Sequence, residues 1–200
     1  FATALAAHHE MGLTSARFPS ESPPGGDAAL AATHDRVADP ELAPPVIAAM
    51  ADYQRFLAPP PQTPPLGMAG EAVFRRIGCA ACHLADPLLT GPSDVEALSG
   101  QFIRPYSDFL LHDMGALGDG IGQDGARPTE MMTRSLWGMG QRGRLLHDGR
   151  AGGENLADRV AEATLAHAGE AAFSREAYAQ LDDEDRGRLV DFLRSLGRGV

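Results

Sequence analysis

The sequence predicts an all-α chain in which short helices are joined by long Gly- and Pro-rich loops. Three observations lead there. Apolar residues recur at helical spacing in several windows, no stretch alternates as a half-buried strand does, and 23 Gly with 15 Pro leave much of the 200 residues to loop. That length allows one domain or two small ones. The chain has 33 Ala but only 41 Leu, Ile, Val and Phe, close to the lower bound for a globular core. Something besides side chains is therefore expected to help fill the interior.

Taken in order, residues Thr3 to Glu10 read as a helix and Phe18 to Gly26 as a Pro- and Gly-rich loop. Glu41 to Leu57 reads as a second helix, with Pro44 and Pro45 in its first turn, where a missing amide donor costs little. Pro59, Pro60, Pro61, Pro64 and Pro65 make a stiff connector. The expected organisation is thus a helical N-terminal region with its linker over 1–66 and a second domain over 67–200. In that domain Gly70 to Gly78 puts Val73, Phe74 and Ile77 on one helical face. Tyr106 to Asp113 and Val160 to His167 read as short helices. Asp182 to Leu196 reads as a terminal one, with an acidic first turn and a stripe of Leu189, Phe192, Leu193 and Leu196. The loops Gly115 to Gln123 and Gly138 to Gly153 lack the strand-to-helix setting of a phosphate-binding loop.

The net charge is −10, and the 17 basic residues are all Arg. With no basic run, nucleic acid is not expected as a partner. No stretch approaches the roughly 18 apolar residues that span a bilayer. Because the chain begins at Phe1 without an initiator Met, it is expected to be a processed chain or a fragment.

Both cysteines fall in Cys79-Ala80-Ala81-Cys82-His83. Such a motif serves a redox dithiol, half of a zinc site, or attachment of a c-type haem when His follows directly. A zinc site needs two further ligands, and there is no second Cys pair and no closely spaced His pair nearby. A redox dithiol normally follows a strand, and none is read before Gly78. Haem fits each position: two thiols on one turn match the porphyrin edge as thioethers, and His83 is carried under the iron. The expected cofactor is one covalently attached haem c, and the second domain is expected to be a c-type cytochrome haem domain.

Five ordered motifs carry a resemblance: Cys79-Ala80-Ala81-Cys82-His83, Tyr106-Ser107-Asp108-Phe109-Leu110-Leu111-His112-Asp113-Met114-Gly115, Leu136-Trp137-Gly138-Met139-Gly140, Leu146-His147-Asp148-Gly149-Arg150-Ala151 and His167-Ala168-Gly169-Glu170-Ala171. The chain resembles the C-terminal half of the di-haem thiol oxidoreductases, relatives of bacterial di-haem cytochrome c peroxidase. Met11-Gly12-Leu13-Thr14 and Phe18-Pro19 resemble the family's middle region. Family members carry a second Cys-x-x-Cys-His in an N-terminal haem domain, and this chain has one such motif. The resemblance therefore implies the electron-transfer half of a di-haem protein, acting with a redox partner such as a second haem domain or a larger electron-transfer complex. It also implies a periplasmic location. Met132-Thr133-Arg134 stands where the family usually has Arg-Thr-Pro.

The distal side of the iron decides between electron carrier and reactive centre. Candidates are His167, Met114, His112, Met139 and His147. In the peroxidase relatives the ligand sits on the helix after the His-Asp-Gly motif, and the resemblance puts His167 at that place, with Met114 as runner-up. His112 and His147 are expected to make hydrogen bonds near the cofactor, and Arg104 and Arg150 to pair with haem propionates. The Thr90-Gly91-Pro92 turn is expected to supply the carbonyl that orients His83. Trp137 is weighed as an electron relay against a packing role. The leading function is electron transfer by a single c-type haem. The alternatives are half of a peroxidase-like or thiol-oxidising enzyme, and a docking subunit that keeps haem for folding.

Overall fold

In the structure, a computed structural model that describes residues 1–197 apart from 22, 24–25, 63–66 and 123–124, contacts divide the chain into Phe1–Ala58 and Pro59–Val200. This division precedes the proline run rather than following it at 66/67. Pro59 to Gln62 go with the second unit, where the Tyr106 hydroxyl donates to Gln62 Oε1 at 2.9 Å. Pro64 and Pro65 lie outside the described residues, as do Pro24 in the first predicted loop and Gln123 at the end of a later one.

The first unit holds α1 (Ala2–Met11), α2 (Ala28–His34) and α3 (Pro44–Arg55). Pro44 and Pro45 open α3 as expected. The turn after α1 is organised by Thr14, which is fully buried. Its N–H donates to Glu41 Oε2 at 3.0 Å, its hydroxyl accepts from Glu41 N–H at 3.0 Å, and the same hydroxyl donates to the Asp39 carboxylate. Thr3 Oγ1 donates to Gln54 Oε1 at 3.1 Å and ties α1 to α3.

The second unit is built on α4 (Ala69–Arg76) packed against α7 (Asp183–Ser195). Gly70 makes this contact possible, since a Cβ there would lie 1.9 Å from the Arg188 carbonyl oxygen. Phe74 of α4 and Phe192 of α7 meet with ring centroids 5.3 Å apart, and Tyr106 stands edge-on to both at 6.3 and 5.7 Å. These rings, with Val73, Ile77, Leu189 and Leu196, are almost wholly buried. Next come α5 (Leu156–Ala166) and α6 (Ala172–Ala179). Asn155 and Asp158 form a reciprocal cap at the start of α5, and Asp182 accepts from Asp185 N–H at 2.8 Å at the start of α7. Each cap satisfies amides that the first turn leaves unpaired.

Strands do occur, contrary to the sequence expectation. β1 (Leu88–Leu89) pairs antiparallel with β2 (Phe102–Ile103), and β3 (Leu111–Asp113) with β4 (Glu130–Met132) in the register His112↔Met131. The predicted helix over 106–113 is therefore a loop running into β3. Its physical cause is local. Ser107 Oγ accepts from Phe109 N–H at 2.9 Å and Asp108 Oδ1 from Leu110 N–H at 3.0 Å, so side chains take the amides that a helix would use. Tyr106 and Phe109 take positive φ of 53° and 58°, which a right-handed helix excludes.

Candidate haem site

Gly78, at φ 86°, turns the chain out of α4 into a single 3₁₀ turn, Cys79–Ala81. A residue with a Cβ would be strained at that φ. His83 N–H then donates to Cys79 O at 2.9 Å, which keeps the motif coiled through its histidine. Burial pushes the Cys79 thiol up to about 12. The Cys82 thiol is raised as well, first by burial and then by the Asp108 and Glu170 carboxylates. A redox dithiol needs an accessible thiolate, and these surroundings favour the protonated form. The zinc alternative also fits poorly. Among the described residues the cluster of potential ligands that includes Cys82 contains Asp108 and His112 but not Cys79.

His83 is held by the 104–113 loop. Its Nδ1 lies 2.8 Å from Tyr106 O; a carbonyl only accepts, so Nδ1 carries the hydrogen and Nε2 keeps the lone pair. The expected source of the accepting carbonyl, the Thr90-Gly91-Pro92 turn, is not the one used: Thr90 instead bonds Leu98 and Gln101 and closes its own hairpin. The Tyr106 carbonyl is fixed from both sides. Its ring lies in the aromatic core, and residues 133–137 clamp the adjoining backbone. Ser107 Oγ donates to Thr133 O, Ser135 Oγ to Pro105 O and Trp137 Nε1 to Arg104 O, at 2.8, 2.8 and 2.6 Å. Burial brings His83 down to about 4, so the ring is neutral near pH 7.

His167 repeats the pattern one residue past the end of α5. Its Nδ1 donates to Ala163 O at 2.7 Å, which again leaves the lone pair on Nε2, and burial lowers its pKa. A charge on His167 would lower His83 further, so the two imidazoles are close enough to feel each other.

The other predicted residues are placed as follows. Met114 is half-buried at the start of a single turn, with its N–H on Thr129 O at 2.8 Å. Met139 is a buried member of the core cluster. His147 is exposed, and Arg150 is exposed and paired with Asp148 at 2.5 Å. Trp137 is half-buried and spends its N–H on Arg104 O. His112 stands between two carboxylates, Asp108 Oδ2 at 2.9 Å and Glu170 Oε2 at 3.0 Å. Neither the Tyr106 carbonyl nor this carboxylate bridge was anticipated. The Tyr106 carbonyl, Asp108 and His112 all lie inside the Tyr106–Gly115 motif, over which the sequence predicts a helix, and Glu170 lies in the last of the five motifs.

A family model described as "Di-haem oxidoreductase, putative peroxidase" matches residues 4–196. The chain belongs to the di-haem oxidoreductase family. No match was found among curated proteins or among solved structures. Membership makes haem the cofactor class, and the residues present fit it. Among the described residues Arg104 Nε, like those of Arg159 and Arg186, is buried without a hydrogen-bond partner, which leaves Arg104 able to meet an anionic group such as a haem propionate. Together with two neutral imidazoles and two half-buried thiols, this member of the family has a donor set suited to haem. Its single Cys-x-x-Cys-His uses both of its cysteines.

Proposed function

We propose that this chain carries one covalently attached haem c in a mainly helical c-type cytochrome fold, and serves as an electron-transfer module of a di-haem oxidoreductase. The observation that carries this is the matched pair His83 and His167. Each donates Nδ1–H to a carbonyl at 2.8 and 2.7 Å, and each is held neutral by burial. Only a neutral imidazole has a lone pair to give to a metal. A haem bound there would supply one-electron exchange at its iron. Cys79 and Cys82 would hold its edge as thioethers, and Arg104 would take a propionate.

With His83 and His167 both given to the iron, the haem would offer peroxide no free place, which favours electron transfer over chemistry on peroxide. The acidic balance of −10 suits docking on the basic face of a redox partner, such as a second haem domain or a larger electron-transfer complex. Covalent haem attachment takes place outside the bacterial cytoplasm, which supports a periplasmic location. Among the described residues no helix is long and apolar enough to cross a membrane.

Intact-mass measurement under denaturing conditions tests the attachment. The chain made alongside c-type haem assembly is expected to retain one haem, and the Cys79→Ala/Cys82→Ala double variant to lose it. Haem released from the unaltered chain by acid and solvent would contradict the proposal.

The family description favours a second reading, in which the chain is half of a peroxidase-like or thiol-oxidising enzyme. Peroxide turnover by the purified haem-loaded chain would establish it. Rapid one-electron exchange without turnover would support the first.

A further inference from the structure

The turn after His167 is fastened to the same loop that orients His83. Glu170 reaches back with both carboxylate oxygens. Oε2 accepts from His112 Nδ1 at 3.0 Å and Oε1 from Asp113 N–H at 2.9 Å, while His112 Nε2 donates to Asp108 Oδ2 at 2.9 Å. Carboxylates accept only, so His112 donates from both nitrogens and is an imidazolium when both bonds are made. Its neighbours raise its pKa, Glu170 foremost and Asp108 next. The backbones also touch: a Cβ on Gly169, at φ 54°, would lie 2.1 Å from Asp113 O and 2.9 Å from Gly115 N. A side chain there would push the turn away from β3.

Residues 104–113 therefore touch both imidazole-bearing segments. At one end the Tyr106 carbonyl takes the His83 N–H. At the other, Asp108, His112 and Asp113 hold Glu170, three residues past His167. The geometry points to Glu170 and His112 as positioning residues for the distal ligand: the Asp108–His112–Glu170 bridge keeps the end of α5 registered to the loop that orients the proximal histidine. The inference rests on His167 being the sixth ligand.

The experiment uses the haem-loaded chain and measures how fast cyanide enters the ferric iron, since cyanide binds only after the sixth ligand has left. Charge-assisted bonds with one partner this exposed make a difference of about two- to fivefold when removed. Glu170→Ala and His112→Asn are expected to speed cyanide binding by about that factor, with Glu170→Gln in between because it keeps the shape and part of the bonding. Amide exchange at 168–171 should rise in parallel. The Glu170 side chain is 56% exposed, so its loss leaves the fold standing, and far-UV circular dichroism checks this.

Wild-type cyanide rates in both Glu170→Ala and His112→Asn would overturn the inference. His167→Ala separates the two levels. If it binds cyanide no faster than the unaltered chain, His167 is not the ligand and the positioning role falls with it. If it binds fast while the bridge variants do not, only the positioning role fails.

Discussion

At the scale of single residues, a histidine's surroundings decide what it can do. His83 and His167 are largely withdrawn from water and each spends Nδ1 on a carbonyl, so they stay neutral and able to ligate. His112 lies between two carboxylates and is favoured as the cation. Its folded pKa is above its unfolded one, so the stabilisation from its bridge is fully present below about 6.5 and is lost as pH rises through the raised value. Glu170 works in the other direction. Its carboxyl is held below the usual range by His112 and then by the Asp113 amide, so its share is present above the ordinary carboxylate range and fades as pH falls through the lowered value. An NMR titration of the histidines is expected to show His112 alone of these three titrating above the ordinary imidazole value, and falling back in Glu170→Gln. A His112 that titrates at or below that value would remove the bridge.

At the scale of elements, what the sequence made legible was set by how far each signal reaches. The Cys79–His83 motif and the acidic first turn and apolar stripe of α7 are local patterns. The structure places helices Ala69–Arg76 and Asp183–Ser195 close to the expected spans, while the one expected over Val160 to His167 begins earlier, at Leu156, and ends at Ala166. The 104–113 loop was not legible, because its shape comes from positive φ at Tyr106 and Phe109, residues with no local preference for it, and from bonds to segments about 26 to 58 residues away. Strands of two or three residues are also too short to show alternation. Two glycines test the account of the α4–α7 contact. Gly70→Ala drives a Cβ into the Arg188 backbone and is expected to cost about 2 kcal/mol or more. Gly187, on the exposed side of α7, has nothing within 4 Å, and Gly187→Ala is expected to gain about 0.8 kcal/mol. Chemical denaturation reads both, and equal effects would show that α4 and α7 do not touch as described.

At the scale of the whole molecule, a short supply of large apolar residues, two cysteines and an acidic surface belong to one account. A thin core is what a domain can carry if a large flat cofactor completes it. The charge of −10, to which haem propionates would add, predicts a rate of electron exchange with a basic partner that falls steeply with ionic strength. A rate flat between low and physiological salt would rule out docking by charge. The central claim is that His83 and His167 together hold one haem iron. The most direct test is the electron paramagnetic resonance spectrum of the oxidised, haem-loaded chain beside its His167→Ala variant. The account predicts a low-spin signal of two imidazole ligands in the unaltered chain and a high-spin signal in the variant. A high-spin signal in the unaltered chain, or an unchanged low-spin one in the variant, would contradict it.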